Sequence, residues 1–292
     1  MPRFRIVGLI AALVLFALGS GCSTPAQNTT FADPSAPILS RIAQTGILRV
    51  GMSGDQPPFN AKTRTGQIIG IEADLANALA GGMGVRAEFV EMPFGELLGA
   101  LEAGKLDIVL SQVTMTTERN RRVAFTHPYF VTGKAILTRS EVLSRAQSSE
   151  DLDITGLRIS ALAGSTSEDF IRGRLPSARL STTLDSDQAV RLLLSGKVDA
   201  MMADLPICVI ALLRNPGAGL VAVSSPFTYE PIAAALPAHD TLFLNLVDNF
   251  MQNLEGSGLM EELTLRWFND PTWLDAIPSR DPGQGPGPRA PQ

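Results

Sequence analysis

Cysteine, histidine, tyrosine and tryptophan occur only twice each in 292 residues, and aromatic side chains make up 6% of the chain. One of the two cysteines, Cys22, closes an N-terminal leader, so Cys208 has no partner for an internal disulfide. It sits in the apolar run Leu205-Pro206-Ile207-Cys208-Val209-Ile210, where a thiol reads as buried and inert rather than as a nucleophile. His127 and His239 stand alone in the sequence and offer no ligand spacing; no metal and no cofactor are expected. Charge is sparse as well, at 18%, with a net formal charge of −5 and no basic stripe. That balance argues against nucleic acid as a partner.

What is present begins with the leader. Arg3 and Arg5 precede an apolar run over residues 6–18 broken only by Gly8, and Leu18-Gly19-Ser20-Gly21-Cys22 ends it in small residues. About 13 residues cannot span a ~30 Å hydrocarbon layer but suit the apolar core of a signal peptide. Residues 1–21 are expected to be that peptide, and Cys22 the lipidated first residue of the mature protein, a membrane anchor. Gly19 occupies the position where such boxes usually carry leucine. Losing the leader removes two arginines and no acid, which takes the charge to −7. Residues 22–37 then read as the anchor and a flexible tether rich in Ser, Thr, Pro and Ala. Residues 271–292 form a C-terminal extension whose end, from 281, is Pro/Gly-rich and expected to be disordered. With 45% hydrophobic residues, the rest can bury a large core and has the length of two domains.

The segment Ser111-Gln112-Val113-Thr114-Met115-Thr116-Thr117-Glu118-Arg119 carries the most chemistry. It follows the apolar run Leu106-Asp107-Ile108-Val109-Leu110 and offers small hydroxyl donors, backbone N–H groups at a strand end and one guanidinium. Those are the groups that hold a carboxylate.

Around it, strand and helix patterns alternate. Ile47 to Gly51, Ala87 to Val90 and Leu106 to Leu110 read as strands. Residues 71, 75, 78 and 79 share a helical face, and Leu97 to Ala103 reads as a short helix. Strand–helix–strand order implies a parallel sheet covered by helices, with ligands bound beyond the C-terminal strand ends. A second set follows: a strand over Leu157 to Leu162 leading into Gly164-Ser165-Thr166-Ser167, a helix over Gln188 to Leu194, and a strand from Val198 to Met202 running into Asp204. Gly104-Lys105-Leu106-Asp107 and Gly196-Lys197-Val198-Asp199 form an internal echo, each a helix end, a Gly turn and a strand. Two similar α/β lobes, each with polar residues at a strand end, predict a cleft between them.

Those motifs, with Pro57-Pro58-Phe59, Gly70-Ile71-Glu72-Ala73-Asp74-Leu75, Phe125-Thr126-His127-Pro128-Tyr129 and Gly258-Leu259 to Arg266-Trp267-Phe268, stand in the order found in one family. From about Ile42 to Trp267 the chain resembles the extracytoplasmic solute-binding proteins that feed polar amino-acid ABC importers. The resemblance implies a type II, two-lobed α/β fold: residues 38–138 plus 226–270 in lobe one, 139–225 in lobe two, and crossovers near Arg139 and Ser224. It implies a monomer that closes on a small zwitterionic solute, an amino acid, and presents it to ABC permease subunits outside the cytoplasm. By the same resemblance Arg119 pairs with the ligand carboxylate and Thr114, Ser165 and Thr166 donate to it. Ser111 and Gln112 contact the ligand backbone, Asp204 takes the ammonium, and Phe59 and Phe94 pack on the ligand side chain. Gln56 replaces an aromatic common in the family, which changes that pocket wall.

Other residues have plainer readings. Arg121 and Arg122 suit a solvated surface, Glu72 and Asp74 suit a helix start, and the aromatic run from Phe125 to Val131 suits a lobe-core strand. Asp55 and Lys62 lie near the first loop. The fold is shared with cyclohexadienyl dehydratases, so an enzyme is an alternative reading, with Asp55 or Lys134 as its acid. A stand-alone ligand sensor is another. No paired-acid motif is visible, and no enzymatic activity is expected.

Overall fold

The structure, a computed structural model, describes residues 35–278 except 149, 153 and 224–227. The leader, Cys22, the tether up to Pro34 and the Pro/Gly-rich end lie outside the described residues.

Two five-stranded sheets organise the chain. In the first, Ile47–Met52 lies between Arg86–Glu91 and Ile108–Val109, parallel to both. Ala235–Pro237 joins antiparallel to Ile108–Val109, and Val123–Phe125, antiparallel to Ala235–Pro237, closes the far edge in the direction of the core strands. In the second, Arg158–Leu162 lies between Arg179–Thr183 and Ala200–Asp204, again parallel to both. Lys134–Thr138 joins antiparallel to Ala200–Asp204, and Val221–Ala222 follows it. Both sheets place their first local strand between the second and the third, with helices in the connections between these parallel strands.

The alternation of side chains along the strands explains why each sheet is covered twice. Ala135, Leu137 and Met201 point to one face of the second sheet with Val190, Leu193 and Cys208. Ile136, Ala200 and Met202 point to the other with Ile159, Ile171 and Leu175. The first sheet is treated alike. Leu48 and Val50 pack with Leu75, Leu79, Phe243 and Val247 on one side. Leu97, Leu101, Leu106 and Val109 pack on the other.

The sequence echo has a structural counterpart that reaches further than its motif. Gly104 and Gly196 both turn with φ 70°, a conformation that suits glycine. In lobe one Asp107 N–H donates to Arg49 O at 2.9 Å, and Arg49 N–H donates back to the Asp107 carboxylate at 2.7 Å. In lobe two Asp199 N–H donates to Arg158 O at 2.7 Å, and Arg158 N–H returns to the Asp199 carboxylate at 3.0 Å. Each arginine side chain also pairs with its aspartate. The same backbone-and-ion-pair clasp fixes the first and third local strands of both lobes.

The expected lobe boundaries need one correction. Lys134–Thr138 belongs to the second sheet, so the chain crosses before Lys134 and not near Arg139. The run from Phe125 to Val131 is not one strand. Val123–Phe125 ends in the first sheet, and Phe130–Thr132 pairs antiparallel with Glu230–Ile232 as a two-stranded ribbon. That ribbon carries both crossings. Ser224 lies outside the described residues. The extension after Pro271 touches both lobes: Arg64 N–H donates to Ala276 O at 3.1 Å, and Arg214 donates to Pro278 O at 2.9 Å.

Candidate functional site

A cavity of about 30 Å³, roughly the share of one water molecule in the liquid, lies between the lobes. It is lined by Gln56, Phe94, Gln112, Thr114 and Arg119 from the first lobe and by Lys134, Ser165, Thr166 and Asp204 from the second. Of the ten ligand residues expected from sequence, eight line it. The lobes meet closely around it. A Cβ on Gly164 would come within 2.9 Å of Gly95 Cα, and one on Gly95 would come within 3.2 Å of Ala163 O, so the backbones pack closely there. Leu162 of lobe two packs into the same cluster as Phe94 and Leu97 of lobe one.

Arg119 arises from the short helix Thr117–Asn120, capped by Thr116, whose hydroxyl accepts Arg119 N–H at 3.1 Å. Its guanidinium donates to Thr114 O at 2.9 Å and, across the cleft, to Gly164 O at 3.0 Å. It lies 5.7 Å from the Phe94 ring centroid. No carboxylate among the described residues forms an ion pair with it. Burial lowers its pKa, against the pull of Asp169, Glu230 and Asp204.

Ser165 caps the helix Thr166–Arg174, accepting Glu168 N–H at 3.2 Å and donating to Leu162 O at 2.6 Å. Thr166 Oγ1 donates to Glu230 Oε2 at 3.0 Å and lies 3.5 Å from Thr114 Oγ1. This edge of the cavity is a line of hydroxyls beside a helix N-terminus.

Asp204 ends its strand where the helix Leu205–Arg214 begins, yet its side chain does not cap that helix. Oδ1 accepts from Lys134 Nζ at 2.7 Å and Oδ2 accepts from Gln112 Nε2 at 2.9 Å, a bond between lobes. Burial raises the Asp204 pKa, and the Lys134 charge opposes this. Lys134 also pairs with Glu230 at 3.1 Å. Burial pushes Glu230 up, but the Lys134 charge and the Thr228 hydroxyl outweigh it, and its pKa falls. Two cations, Arg119 and Lys134, thus face two carboxylates, Asp204 and Glu230.

Two expected contacts are corrected. Phe59 is fully buried in the lobe-one core, edge-on to Phe130 at 5.1 Å and Phe268 at 5.4 Å, away from the cavity wall. Its apolar bulk is used for packing. Ser111 is also fully buried, and its hydroxyl accepts Ser53 N–H at 3.0 Å, tying two strand ends together. Gln56 lines the cavity and donates to Ser53 Oγ at 3.2 Å.

Lys134 and Glu230 were not among the expected ligand residues. The available signal was a lysine and a glutamate isolated beside apolar stretches, Ala135-Ile136-Leu137 and Ile232 to Leu236. Glu72 does not act at its helix start either, since it bonds to Asn60, Gln112 and Tyr129. Asp74 holds the Trp267 indole at 2.8 Å. His127 pairs with Asp248 at the surface, and Cys208 is buried, its thiol pushed up to about 12. No group of residues suited to a metal ion occurs among the described residues.

Two α/β lobes joined by a paired ribbon, with a charged cleft between them, define a type II binding fold. Residues 48–270 match the bacterial extracellular solute-binding proteins of family 3, and the chain belongs to that family. It is 30% identical to the cyclohexadienyl dehydratase of Pseudomonas aeruginosa over 269 residues, covering 92% of this chain and 96% of the relative. It is 26% identical to the ABC transporter glutamine-binding protein of Bacillus subtilis, covering 91% and 96%. The solved ancestral amino acid-binding protein AncCDT-1, a precursor of cyclohexadienyl dehydratase, superposes with a TM-score of 0.73 at 35% identity. That match covers 79% of this chain and 99% of the solved one.

Proposed function

We propose that this protein captures a small zwitterion, an amino acid, between its lobes outside the cytoplasm and delivers it to an ABC importer. The observation that carries the reading is Arg119: a largely desolvated guanidinium beside a line of hydroxyls, held by carbonyl oxygens only. A cation in that setting gains most from an anion. Opposite it, Gln112 Oε1 is buried with no hydrogen-bond partner, next to the Asp204 carboxylate. These acceptors suit an ammonium. The four charges of the cleft sum to zero, so a net-neutral ligand leaves the buried site balanced.

The 30 Å³ cavity and the contacts across it describe a closed arrangement. Separating the lobes breaks the Gln112–Asp204 and Arg119–Gly164 bonds and frees the same groups for a ligand. Closure about the Phe130–Thr132 and Glu230–Ile232 ribbon then couples occupancy to the surface offered to a permease. The leader and Cys22 support export and tethering by a lipid anchor; Ser111 and Phe59 act as supports behind the site. A thermal-shift screen against the common L-amino acids tests this. A ligand at 100 times its Kd should stabilise by about 2.7 kcal/mol; no shift with any of them contradicts the reading.

The dehydratase relative gives a second reading some footing, because Lys134, Asp204 and Glu230 are ionisable groups within the cleft. Absorbance assays of prephenate and arogenate separate the two: turnover favours an enzyme, stabilisation without turnover favours a receptor.

A further inference from the structure

We propose that Glu72 is a positioning residue of the cleft, which clamps Gln112 in the one backbone conformation that lets its amide reach Asp204. This rests on reading the cleft as the ligand site.

Gln112 has φ 50° and is the only non-glycine residue with positive φ among the described residues. An L-residue in the left-handed region costs about 1 kcal/mol or more and persists only where its surroundings fix it. Here the fixing group is Glu72. Its side chain is fully buried, and Oε1 accepts Gln112 N–H at 2.5 Å. The same oxygen accepts the Tyr129 hydroxyl, and Oε2 accepts Asn60 Nδ2 at 2.5 Å. Asn60 cannot reverse its amide without loss, because its Oδ1 already accepts Gly54 N–H at 2.7 Å. Glu72 therefore meets fixed donors on both oxygens, from three separate segments of lobe one.

The consequence lies on the other side of Gln112. Its Nε2 donates to Asp204 of the second lobe, and its Oε1 is left without a partner beside the cavity. With ordinary negative φ the side chain would leave from a different direction, and the bond to Asp204 and the placement of Oε1 beside the cavity would be lost. Glu72 is not itself one of the residues that line the cavity. Its carboxylate acts through Gln112.

Glu72→Gln is nearly isosteric but turns one oxygen into a donor. Whichever way the new amide points, a donor meets a donor, either at Asn60 or at the Gln112 backbone. The test measures calorimetric affinity, with each common L-amino acid as probe, for wild type, E72Q, Q112G and the double variant. Glycine at 112 keeps the positive φ without help and removes the side chain.

The clamp predicts about a tenfold loss in E72Q, a similar loss in Q112G, and no further loss in the double variant. Losses that multiply in the double variant, or wild-type affinity in E72Q, overturn it. A ligand-free readout keeps this separate from the function itself. The Gln112 amide proton, bonded to a carboxylate, should resonate far downfield in wild type and move upfield in E72Q. If no amino acid binds wild type, the ligand reading fails, while an unmoved amide resonance refutes the clamp. Should E72Q not fold, E72D keeps the charge and shortens the reach, and the same upfield movement is expected.

Discussion

Asp55 of the first lobe accepts the backbone N–H of Ser186, the first residue of a helix on the second lobe, at 2.9 Å. The other oxygen of that carboxylate is buried without a partner. Burial raises its pKa from 3.8 to about 6, although the Ser53 and Ser186 bonds pull the other way. The folded, closed protein therefore holds the Asp55 proton more tightly than the unfolded chain does. Its contribution is most favourable below about pH 4 and is lost as pH rises through 6. Melting temperatures of wild type and Asp55→Asn should be compared at pH 5 and pH 7.5. Wild type should gain relative to the variant on acidification over this interval, by roughly 1.4 kcal/mol. A difference that does not change with pH would falsify this assignment.

Removing the Arg119 guanidinium should cost binding far more than folding. Arg119→Ala leaves a buried ligand carboxylate poorly paired, at about 3 kcal/mol. Calorimetry with an amino acid found by thermal shift reads this directly. A loss under threefold contradicts the role.

Lys134 behaves differently because its partners are always present. Asp204 and Glu230 are both buried and lie on either side of its ammonium. Lys134→Met leaves two carboxylates facing each other without a counter-charge. Truncating one member of a buried charged cluster costs about 3–5 kcal/mol. Urea unfolding of the ligand-free protein should show it as a lower midpoint; a shift below about 1 kcal/mol means the cluster is not a folding element.

Gly164→Ala tests closure. Gly164 has φ 73°, and a Cβ there meets Gly95 across the cleft. Gly104→Ala is the control, since Gly104 has φ 70° and open space around it. Both pay the left-handed backbone cost of about 1–2 kcal/mol. Only G164A should also weaken amino-acid binding, by about tenfold, and give a larger ligand-bound radius in small-angle scattering. Equal behaviour of the two variants removes the lobe contact from the argument.

Much of this architecture was legible along the chain because strands and helices are written in local periodicity. The Ile71–Gly82 helix starts where its apolar face begins, and the strands at 47–52, 86–91 and 158–162 fall on their apolar runs. The Gly-Lys-x-Asp echo marked equivalent turns in both lobes. The Leu205–Arg214 helix was masked, because its apolar residues run almost continuously and show no face. Phe59 was misplaced for a related reason: an aromatic in a family motif has the same composition whether it packs on a ligand or on Phe130 and Phe268.

By itself the sequence determined the two α/β lobes, the apolar faces that cover their sheets, and which polar strand ends would meet. Only the tertiary structure decided the partners of those polar groups. Lys134, Asp204 and Glu230 are brought together from distant parts of the chain, and Gln112 owes its direction to Glu72, 40 positions earlier. Local pattern encodes which way a side chain faces relative to its own strand or helix. What a buried charge is paired with depends on strands that meet only after the chain has crossed twice between lobes, and no neighbouring residue records that.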